Sequence, residues 1–363
     1  MARCEGRLHP SAVLSGDTGC AARWNDRRVE QPELRVRRAA AQLLDAARPR
    51  SAPEVVGRLL AVQAQELRSA RLAIRARSAG LTASDVDREL TTERSLVAGW
   101  LLRGTLHLVR RADYGWLHVL TAPTQNAASR RRLGQEGVPP AAAERAVELI
   151  EAALAREGPL TRAELAERLA ADGIRTEGQA TPHLLKLAAI RGVAVLGPVR
   201  DGVQAYVLAR EWLGGELPAV DRGAALVELG RRYLAGHAPA SPEDLATWAG
   251  LPLRDARVAL ADVDPDAPTP VEPPPRLLPP FDPYLLGWRD RSFMVSPEHA
   301  RRVHPGGGVL RATATVDGIA VGTWSLSGGR VEIDPFAPLT PEHAAALKAE
   351  AADVERFEAR VTA

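Results

Sequence analysis

Two stretches of the chain repeat one local pattern, and this repeat limits the possible folds more than any other feature. Thr161 with Glu164, and Ser241 with Asp244, each form a capping box at the start of a short apolar helix. In the first copy a second helix follows, then two strand-like segments joined at Asp201-Gly202, a dipeptide typical of tight hairpins. Helix, short strand, helix, helix and hairpin is the order of a winged helix. The sequence therefore predicts tandem winged-helix modules in an α+β, mainly α-helical fold.

The length of the chain, 363 residues, suits two or three modules that share cores. Residues 1–32 mix Gly, Pro and charged residues without a period, and we expect a disordered extension there. The predicted modules are residues 33–135, 136–215 and 216–290, the last including a Pro-rich segment. Over residues 291–363 we predict a C-terminal β-hairpin with its turn at Asp317-Gly318, a third strand at Val331–Ile333, and a closing helix.

The first module has three elements that the pattern of apolar residues predicts. Glu54–Gln65 has an apolar stripe at helical spacing, so we expect one helix across it. The residues from Leu96 also look helical until Gly104 breaks the pattern, and Thr105–Val109 looks like a strand. Asp113 is expected to cap a further helix that runs through Leu120.

Charge is distributed unevenly, although the net charge is only +2. Seven Arg and one acid lie between Arg94 and Arg132, whereas the last thirty residues hold six acids and three bases. One basic face could follow a phosphate backbone. A solvated surface patch explains the same charges equally well.

Several classes of protein are disfavoured. No run of 18 apolar residues and no apolar signal segment is present. Cys4 and Cys20 both lie near one end, and no Cys/His cluster has metal-ligand spacing. Phosphate-binding, dinucleotide-binding and hydrolase signatures are lacking too. We therefore expect a cytoplasmic protein with no membrane association, no metal and no cofactor.

Two segments could carry chemistry in the first module. Gln63-Ala64-Gln65 places two amides around a small residue, and both face one site only if the helix ends there. The alternative is that one Gln solvates a helix end. In Arg103-Gly104-Thr105-Leu106-His107, Thr105 and His107 share one face of the predicted strand. His107 could contact a phosphate or a ligand, or be a satisfied structural residue.

A third segment, Leu278-Pro279-Pro280-Phe281-Asp282-Pro283-Tyr284, contains a carboxylate in a turn-forming context. Asp282 suits a turn whose backbone N–H groups its side chain caps. A catalytic carboxylate is the alternative, and the structural interpretation is favoured.

Taken together, these segments resemble the AlkZ/YcaQ winged-helix DNA glycosylase family. The matching pieces are Leu59–Gln65, Arg103–Val109, Leu278–Gly287 and Val316–Trp324, in the order found in the family, across residues 34–335. The resemblance implies three winged helices in a C shape around a DNA channel, and excision of N7-alkylated purines, in some members with unhooking of interstrand crosslinks. The expected partner is double-stranded DNA with alkylated bases. We expect a monomer, because these modules need no partner to complete a fold.

The family's catalytic motif is Gln, an apolar residue, then Gln or Asp. Gln63 and Gln65 match the Gln/Gln branch, so the catalytic role carries over to these two residues. Further predicted DNA contacts are Arg103, Thr105, His107, Arg130, Arg131 and Arg132. The family also places a β-hairpin against DNA. The hairpin Leu310–Trp324 could be that element, but its leading strand lacks the expected proline.

The implied chemistry is coherent because an N7-alkylguanine is a cation and needs no strong general acid to leave. A Gln carbonyl can hold a water and stabilise an oxocarbenium-like sugar as a fixed dipole. The excision rate is then expected to be flat from about pH 5.5 to 8.5, because Gln does not titrate. The main alternative is a winged-helix transcription regulator without catalysis. A second is a pseudoenzyme that shields lesions or binds a genotoxin.

Overall fold

Two antiparallel sheets organise the protein, and the helices pack around them. The computed structural model describes residues 31–45, 48–200, 203–263 and 271–359. In these residues the strands are β1 (Val62–Gln63), β2 (Leu96–Leu101), β3 (Thr105–Arg110), β4 (Ala194–Arg200), β5 (Val203–Leu208), β6 (Arg276–Leu278), β7 (Thr313–Val316), β8 (Ile319–Ser327) and β9 (Arg330–Pro335).

The helices cover about half of the same residues. They are α1 (Gln31–Ala41), α2 (Ala52–Leu59), α3 (Leu67–Arg77), α4 (Ala83–Thr91), α5 (Arg111–Gln135), α6 (Pro140–Glu157), α7 (Arg162–Ala171), α8 (Ala180–Ile190), α9 (Ala209–Leu213), α10 (Arg222–His237), α11 (Pro242–Ala249), α12 (Leu253–Leu260), α13 (Pro283–Leu286), α14 (Ala300–Val303) and α15 (Pro341–Glu358). None of these described helices is long and apolar enough to cross a membrane.

The larger sheet joins the first two predicted modules. Its strand order is β1-β3-β2-β4-β5, and β2 pairs with β4 where Ala98 faces Leu196. Each half has the same local order, in which a helix, a short strand, two helices and a hairpin follow one another. In the second half the short strand is the single bridge from Leu160 to Tyr206. This order supports the winged-helix prediction, while the predicted module boundaries stay predictions.

The segment from Leu96 is a strand, and the helix expected there was wrong. Strand β2 pairs with β3 along its whole length, from Leu96 opposite Arg110 to Leu101 opposite Thr105. It lies inside the sheet, and five of its six residues are buried. A strand buried on both faces has no alternation of apolar and polar residues, and a short apolar run of this kind can be mistaken for a helix.

The helix expected over Glu54–Gln65 ends six residues early, at Leu59. Leu60 takes a φ of 66°, and its side chain is fully buried in a second core with β2 and α10. Val62 and Gln63 then pair with Leu108 and His107 of β3. Core packing and strand pairing therefore override the helical spacing of the apolar residues.

Helix α5 begins at Arg111 and runs for 25 residues through Pro123, whereas a helix capped by Asp113 and ending at Leu120 was expected. Asp113 does not cap it. Its carboxylate instead accepts hydrogen bonds from Arg110 at 2.7 Å and Arg232 at 3.0 Å. The helix continues past the proline because it packs against α8 and α10, which compensates for the missing backbone donor.

Both predicted capping boxes are confirmed, at the starts of α7 and α11. The predicted hairpin strands on either side of Asp201-Gly202 are present, but those two residues lie outside the described part. The turn at Asp317-Gly318 joins β7 to β8, and β9 adds the expected third strand. The disordered extension proposed for residues 1–32 lies, but for its last two residues, outside the described part, and Gln31 and Pro32 begin α1.

The second helix of each helix-turn-helix pair has a different environment. Helix α8 packs against α5 and α6, and none of its residues is fully exposed. Helix α12 buries only Ala256, Ala259 and Leu260 and leaves Arg254 and Arg257 in solvent. Of these two helices, α12 therefore has an open face of the kind that enters a DNA groove, and α4 in the first half likewise buries only Val86 and Leu90.

The smaller sheet, in the order β6-β7-β8-β9, packs on α3 and α15. Arg75 of α3 donates to Glu350 of α15 at 2.9 Å and to the Leu277 carbonyl at 2.7 Å, so both elements are tied to β6. Strand β6 comes from the Pro-rich segment assigned to the third module. In the structure it pairs with β7 of the C-terminal region.

Candidate active site

The two glutamines of the Gln63-Ala64-Gln65 motif lie on one side of an extended segment. Gln63 ends β1, and the Ala64 N–H donates to the Leu106 carbonyl at 2.8 Å, which extends the pairing with β3. Because alternate residues of extended chain point the same way, the two amides can meet. Gln63 Nε2 donates to Gln65 Oε1 at 2.9 Å. Gln63 is buried and Gln65 is exposed, so the pair runs from the core to the surface.

Arg103 fixes the orientation of the buried amide. Its Nη2 donates to Gln63 Oε1 at 2.5 Å, and its Nη1 donates to the Trp248 carbonyl at 2.9 Å. With Oε1 held by the guanidinium, the NH2 of Gln63 must face Gln65. Burial lowers the pKa of Arg103 to about 10, with Arg291 adding to the effect, so the side chain keeps its charge at neutral pH. A charged donor therefore polarises the two amides in series.

The turn between α11 and α12 holds Arg103 in place. Gly250 has a φ of 68°, and a Cβ built there would stand 2.7 Å from Arg103 Cα. A side chain at this position would therefore push the two backbones apart. On its other side the Gly104 carbonyl accepts from Lys186 Nζ of α8 at 2.7 Å. The motif of the first half is thus supported by residues from two later helix-turn-helix pairs.

His107 lies behind the glutamines in β3. Its ring is buried, and its Nδ1 donates to the Thr105 carbonyl at 2.9 Å. Burial, together with the charge of Arg103, lowers the pKa of His107 to about 3. Two roles were predicted for His107, a phosphate or ligand contact and a structural residue with its hydrogen bonds satisfied. The buried, neutral ring fits the structural role and does not favour a direct phosphate contact.

The other predicted DNA contacts lie on or beside α5. Thr105 is half-buried next to the turn at Gly104. Arg130, Arg131 and Arg132 are exposed near the end of α5. Arg130 pairs with Glu144 and Arg132 with Glu136 at 2.8 Å, whereas Arg131 makes no ion pair with another described residue. The structure does not bring these three arginines into contact with the glutamines.

Asp282 is a buried anchor. Arg77 donates to its two oxygens at 2.6 and 2.8 Å, and both side chains are fully buried. The Asp282 carboxylate also accepts from the Tyr284 N–H at 2.8 Å and so begins α13. The structural interpretation of this residue therefore holds, because water and substrate cannot reach the carboxylate.

The two hairpins of the smaller sheet differ in access. The turn of the β7–β8 hairpin, predicted within Leu310–Trp324, is partly covered, because Gly318 is buried and Arg35 of α1 donates to the Asp317 carbonyl at 2.6 Å. The β8–β9 turn at Gly328-Gly329 is exposed, and Arg330 beside it is 84% exposed. Among the described hairpins of this sheet, β8–β9 is the one whose turn is free to meet a partner.

Sequence reasoning missed the residues that join distant parts of the chain to the glutamines. Lys186, Trp248 and Gly250 had no local signature, because Lys186 donates to a distant backbone carbonyl, Trp248 acts through its own carbonyl, and Gly250 acts through the lack of a side chain. Among the described residues, no group of three or more His, Cys, Asp or Glu could hold a metal ion. The site is thus a pair of neutral amides with the half-buried guanidinium of Arg103 behind it.

The chain is similar to known DNA glycosylases in both sequence and structure. The sequence profile of a family described as "DNA glycosylase AlkZ-like" matches residues 56–357. The chain is 31% identical over 349 residues to an "Interstrand DNA cross-link repair glycosylase" of Streptomyces sahachiroi, covering 87% of this chain and 93% of that protein. The structure of this chain is similar to that of the Streptomyces sahachiroi DNA glycosylase AlkZ. The TM-score is 0.73 and the sequence identity 28%, and the match covers 91% of this chain and 97% of the other.

Proposed function

The chain belongs to the AlkZ-like family of DNA glycosylases, and on this premise we propose that it releases N7-alkylated purines from double-stranded DNA. Gln63 and Gln65 are the proposed catalytic residues, and water is the attacking group. The name of the Streptomyces sahachiroi relative supports including purines that tether two strands among the substrates. The hydrogen-bonded series Arg103–Gln63–Gln65 is the observation that carries the proposal.

The leaving base does not need to be protonated by an acidic side chain of the protein. An N7-alkylated purine already carries a positive charge, so it leaves as a neutral base when the glycosidic bond breaks. Glycosidases with neutral leaving groups need a carboxylic acid to protonate them. Here the task is to orient water and to stabilise positive charge on the sugar, which amide dipoles held in fixed directions can do. The lone pairs of Gln65 Oε1, at the surface end of the series, are suited to both.

Other residues serve the duplex rather than the reaction in this proposal. Thr105 and the arginines at positions 130–132 contact the backbone phosphates, and Arg103 acts through Gln63. For Arg131→Ala we expect weaker binding to any sequence and a salt dependence lower by about one phosphate contact.

The open face of α12 and the exposed β8–β9 turn are further surfaces for the duplex. The protein is proposed to act as a monomer.

The test is release of base from two duplexes, one with N7-methylguanine and one with a nitrogen-mustard crosslink, followed as abasic sites after a short reaction. Gln63→Ala and Gln65→Ala are each expected to lower the rate by about 100-fold or more, the loss typical of removing a fixed dipole that stabilises a transition state. Gln31→Ala, at the exposed start of α1, is the control and keeps the full rate.

The alternatives give different results. A protein that binds both duplexes in a salt-sensitive way but releases no base would be a regulator or a lesion-shielding protein. If both Gln variants still released base at the wild-type rate, another residue would have to be catalytic. Glu66 is the nearest carboxylate in the sequence. In that case the rate would follow the titration of an acid instead of staying flat from about pH 5.5 to 8.5.

A further inference from the structure

An open cavity of about 780 Å³ begins one residue beyond the candidate catalytic motif. Glu66, which follows Gln65, lines it together with Ser69, whose hydroxyl donates to Glu66 Oε2 at 3.1 Å. The remaining walls are the Pro280-Phe281 turn, residues 309–312, and strands β8 and β9. We call this space the Glu66 cavity. Its volume lies in the range of small-molecule sites, which is about 300 to 1,000 Å³.

The walls combine apolar surface with carboxylates. Phe281, Trp324 and Ile333 supply much of the apolar part, and Glu66, Glu332 and Asp334 supply the acids. Two arginines, Arg68 and Arg311, also line the cavity. Arg68 is paired with Glu358 at 2.9 Å and Asp334 with Arg302 at 3.0 Å, so the lining groups without an ion pair to another described residue are Glu66, Glu332 and Arg311. Two unpaired carboxylates therefore stand against one unpaired guanidinium, and this excess of negative charge makes the sugar-phosphate backbone a poor occupant. An apolar group that carries a positive charge fits it.

The Phe281 wall is held in a strained conformation. Phe281 has a φ of 59°, which is unusual for a bulky side chain. It persists because the next residue, Asp282, is locked by the buried ion pair with Arg77. Strain of this kind is kept where the surrounding structure fixes it, and it concentrates at binding sites. The half-buried ring is thus a preset part of the cavity wall.

We propose that the Glu66 cavity receives the substituent of the alkylated purine, and that it selects bulky, apolar substituents with a cationic amine. The inference rests on the proposed function, because it assumes that the damaged nucleotide is held at Gln65. The base stays at the glutamines while its alkyl arm enters the cavity. A methyl group is too small to reach the carboxylates. The cavity therefore acts on specificity and leaves the bond-breaking step to the glutamines.

Three duplexes test this, with N7-methylguanine, an N7 nitrogen-mustard monoadduct, or the sulfur-mustard monoadduct of the same length. The nitrogen adduct carries an amine and the sulfur adduct a neutral thioether, so they differ in charge at nearly equal size. Glu332→Gln is expected to lower the ratio of kcat/KM for the nitrogen adduct over the sulfur adduct by about two- to fivefold, as for an exposed charge pair. Excision of N7-methylguanine stays unchanged.

A second variant tests the space rather than the charge. Val309 lines the cavity and is 46% exposed, so Val309→Trp can fill the opening without disturbing a core. Both mustard adducts are expected to be excised more slowly, and N7-methylguanine at the wild-type rate. Ile319→Trp places the same bulk on an exposed residue outside the cavity, and all three substrates should be unaffected.

Each outcome separates the two ideas. An equal change in all three substrates, or no change in the nitrogen-to-sulfur ratio, would overturn the cavity inference while leaving the glycosylase intact. If the wild-type protein released base from none of the three duplexes, the proposed function would fail instead. The affinities of wild type and Glu332→Gln for the two mustard duplexes would then still test the cavity, and equal affinities throughout would refute it.

Discussion

Arg103 is a positioning residue for the glutamines in our proposal, since it touches Gln63 and not the substrate. Arg103→Met keeps the length of the side chain but leaves Gln63 Oε1 without its donor, so the amide is free to flip. We expect kcat to fall by about 10- to 100-fold, in line with the loss of one fixed donor. Duplex affinity should change little, because the half-buried guanidinium is already bonded to Gln63 and the Trp248 carbonyl.

Single-turnover kinetics and equilibrium binding separate the two effects. Arg103→Lys should restore part of kcat, because an ammonium can reach only one of the two acceptors, the Gln63 amide or the Trp248 carbonyl. A loss of affinity in proportion to the loss of rate would show that Arg103 binds DNA directly. That was the role first predicted for it.

Asp282 has a structural role that stability measurements can isolate. Asp282→Asn leaves the buried Arg77 charge without its partner, and we expect the free energy of unfolding to fall by about 3 to 5 kcal/mol. The control, Asp87→Asn, breaks a half-exposed pair with Arg71 and should cost about 1 kcal/mol or less. Denaturant unfolding measures both. If Asp282→Asn kept full stability but lost activity when folded, the catalytic alternative would return.

At the scale of elements, close packing of helices sets the position of the third helix-turn-helix pair. Helix α10 meets α12 at Gly230, where an added Cβ would lie 1.8 Å from the Ala259 carbonyl oxygen. The backbones therefore touch, and only glycine fits. Because α11 and α12 carry the turn against Arg103, this contact also bears on the candidate active site.

Gly230→Ala is expected to force α10 and α12 apart and to destabilise the protein by about 2 kcal/mol or more, as overpacking of a core does. Gly134→Ala is the control, since it is also helical but has open space around it. That change should stabilise α5 by about 0.5 to 1 kcal/mol, because alanine loses less backbone entropy in a helix. Thermal unfolding of the two variants should move in opposite directions.

At the scale of the whole molecule, buried neutral histidines couple stability to pH. Burial lowers the pKa of both His107 and His237 to about 3, from 6.5 in the unfolded chain. Between these values the unfolded state binds more protons, so the folded state loses stability as the pH falls below 6.5. This loss lies below neutral pH and leaves the physiological range unaffected.

The expected size is about 1.4 kcal/mol per histidine between about pH 7.5 and 5.5. Urea unfolding at the two pH values measures it, and the double variant His107→Asn, His237→Gln should show a smaller difference than wild type. The rate of base release, measured in the same range on folded protein, should stay flat, because neither His107 nor Arg103 titrates there. If the stability of the wild-type protein did not change with pH, this would contradict the conclusion that His107 and His237 are buried and neutral.

The sequence by itself determined the features that depend on nearby residues. Capping boxes at Thr161 and Ser241 were predicted because each cap bonds three residues away. The hairpin turn at Asp317-Gly318 followed from a dipeptide that favours it. The family resemblance, now confirmed, was carried by short motifs in a fixed order, Gln63-Ala64-Gln65 among them.

Only the tertiary structure decided where α2 ends, that Leu96 begins a strand, and what holds the glutamines. The helix ends before Leu60 because the Leu60 side chain packs in a core formed by elements that are distant in the sequence. Arg103 reaches Gln63 across 40 positions and the Trp248 carbonyl across 145. Such contacts have no local period, because they form only once the chain has closed on itself and burial has removed the competing water.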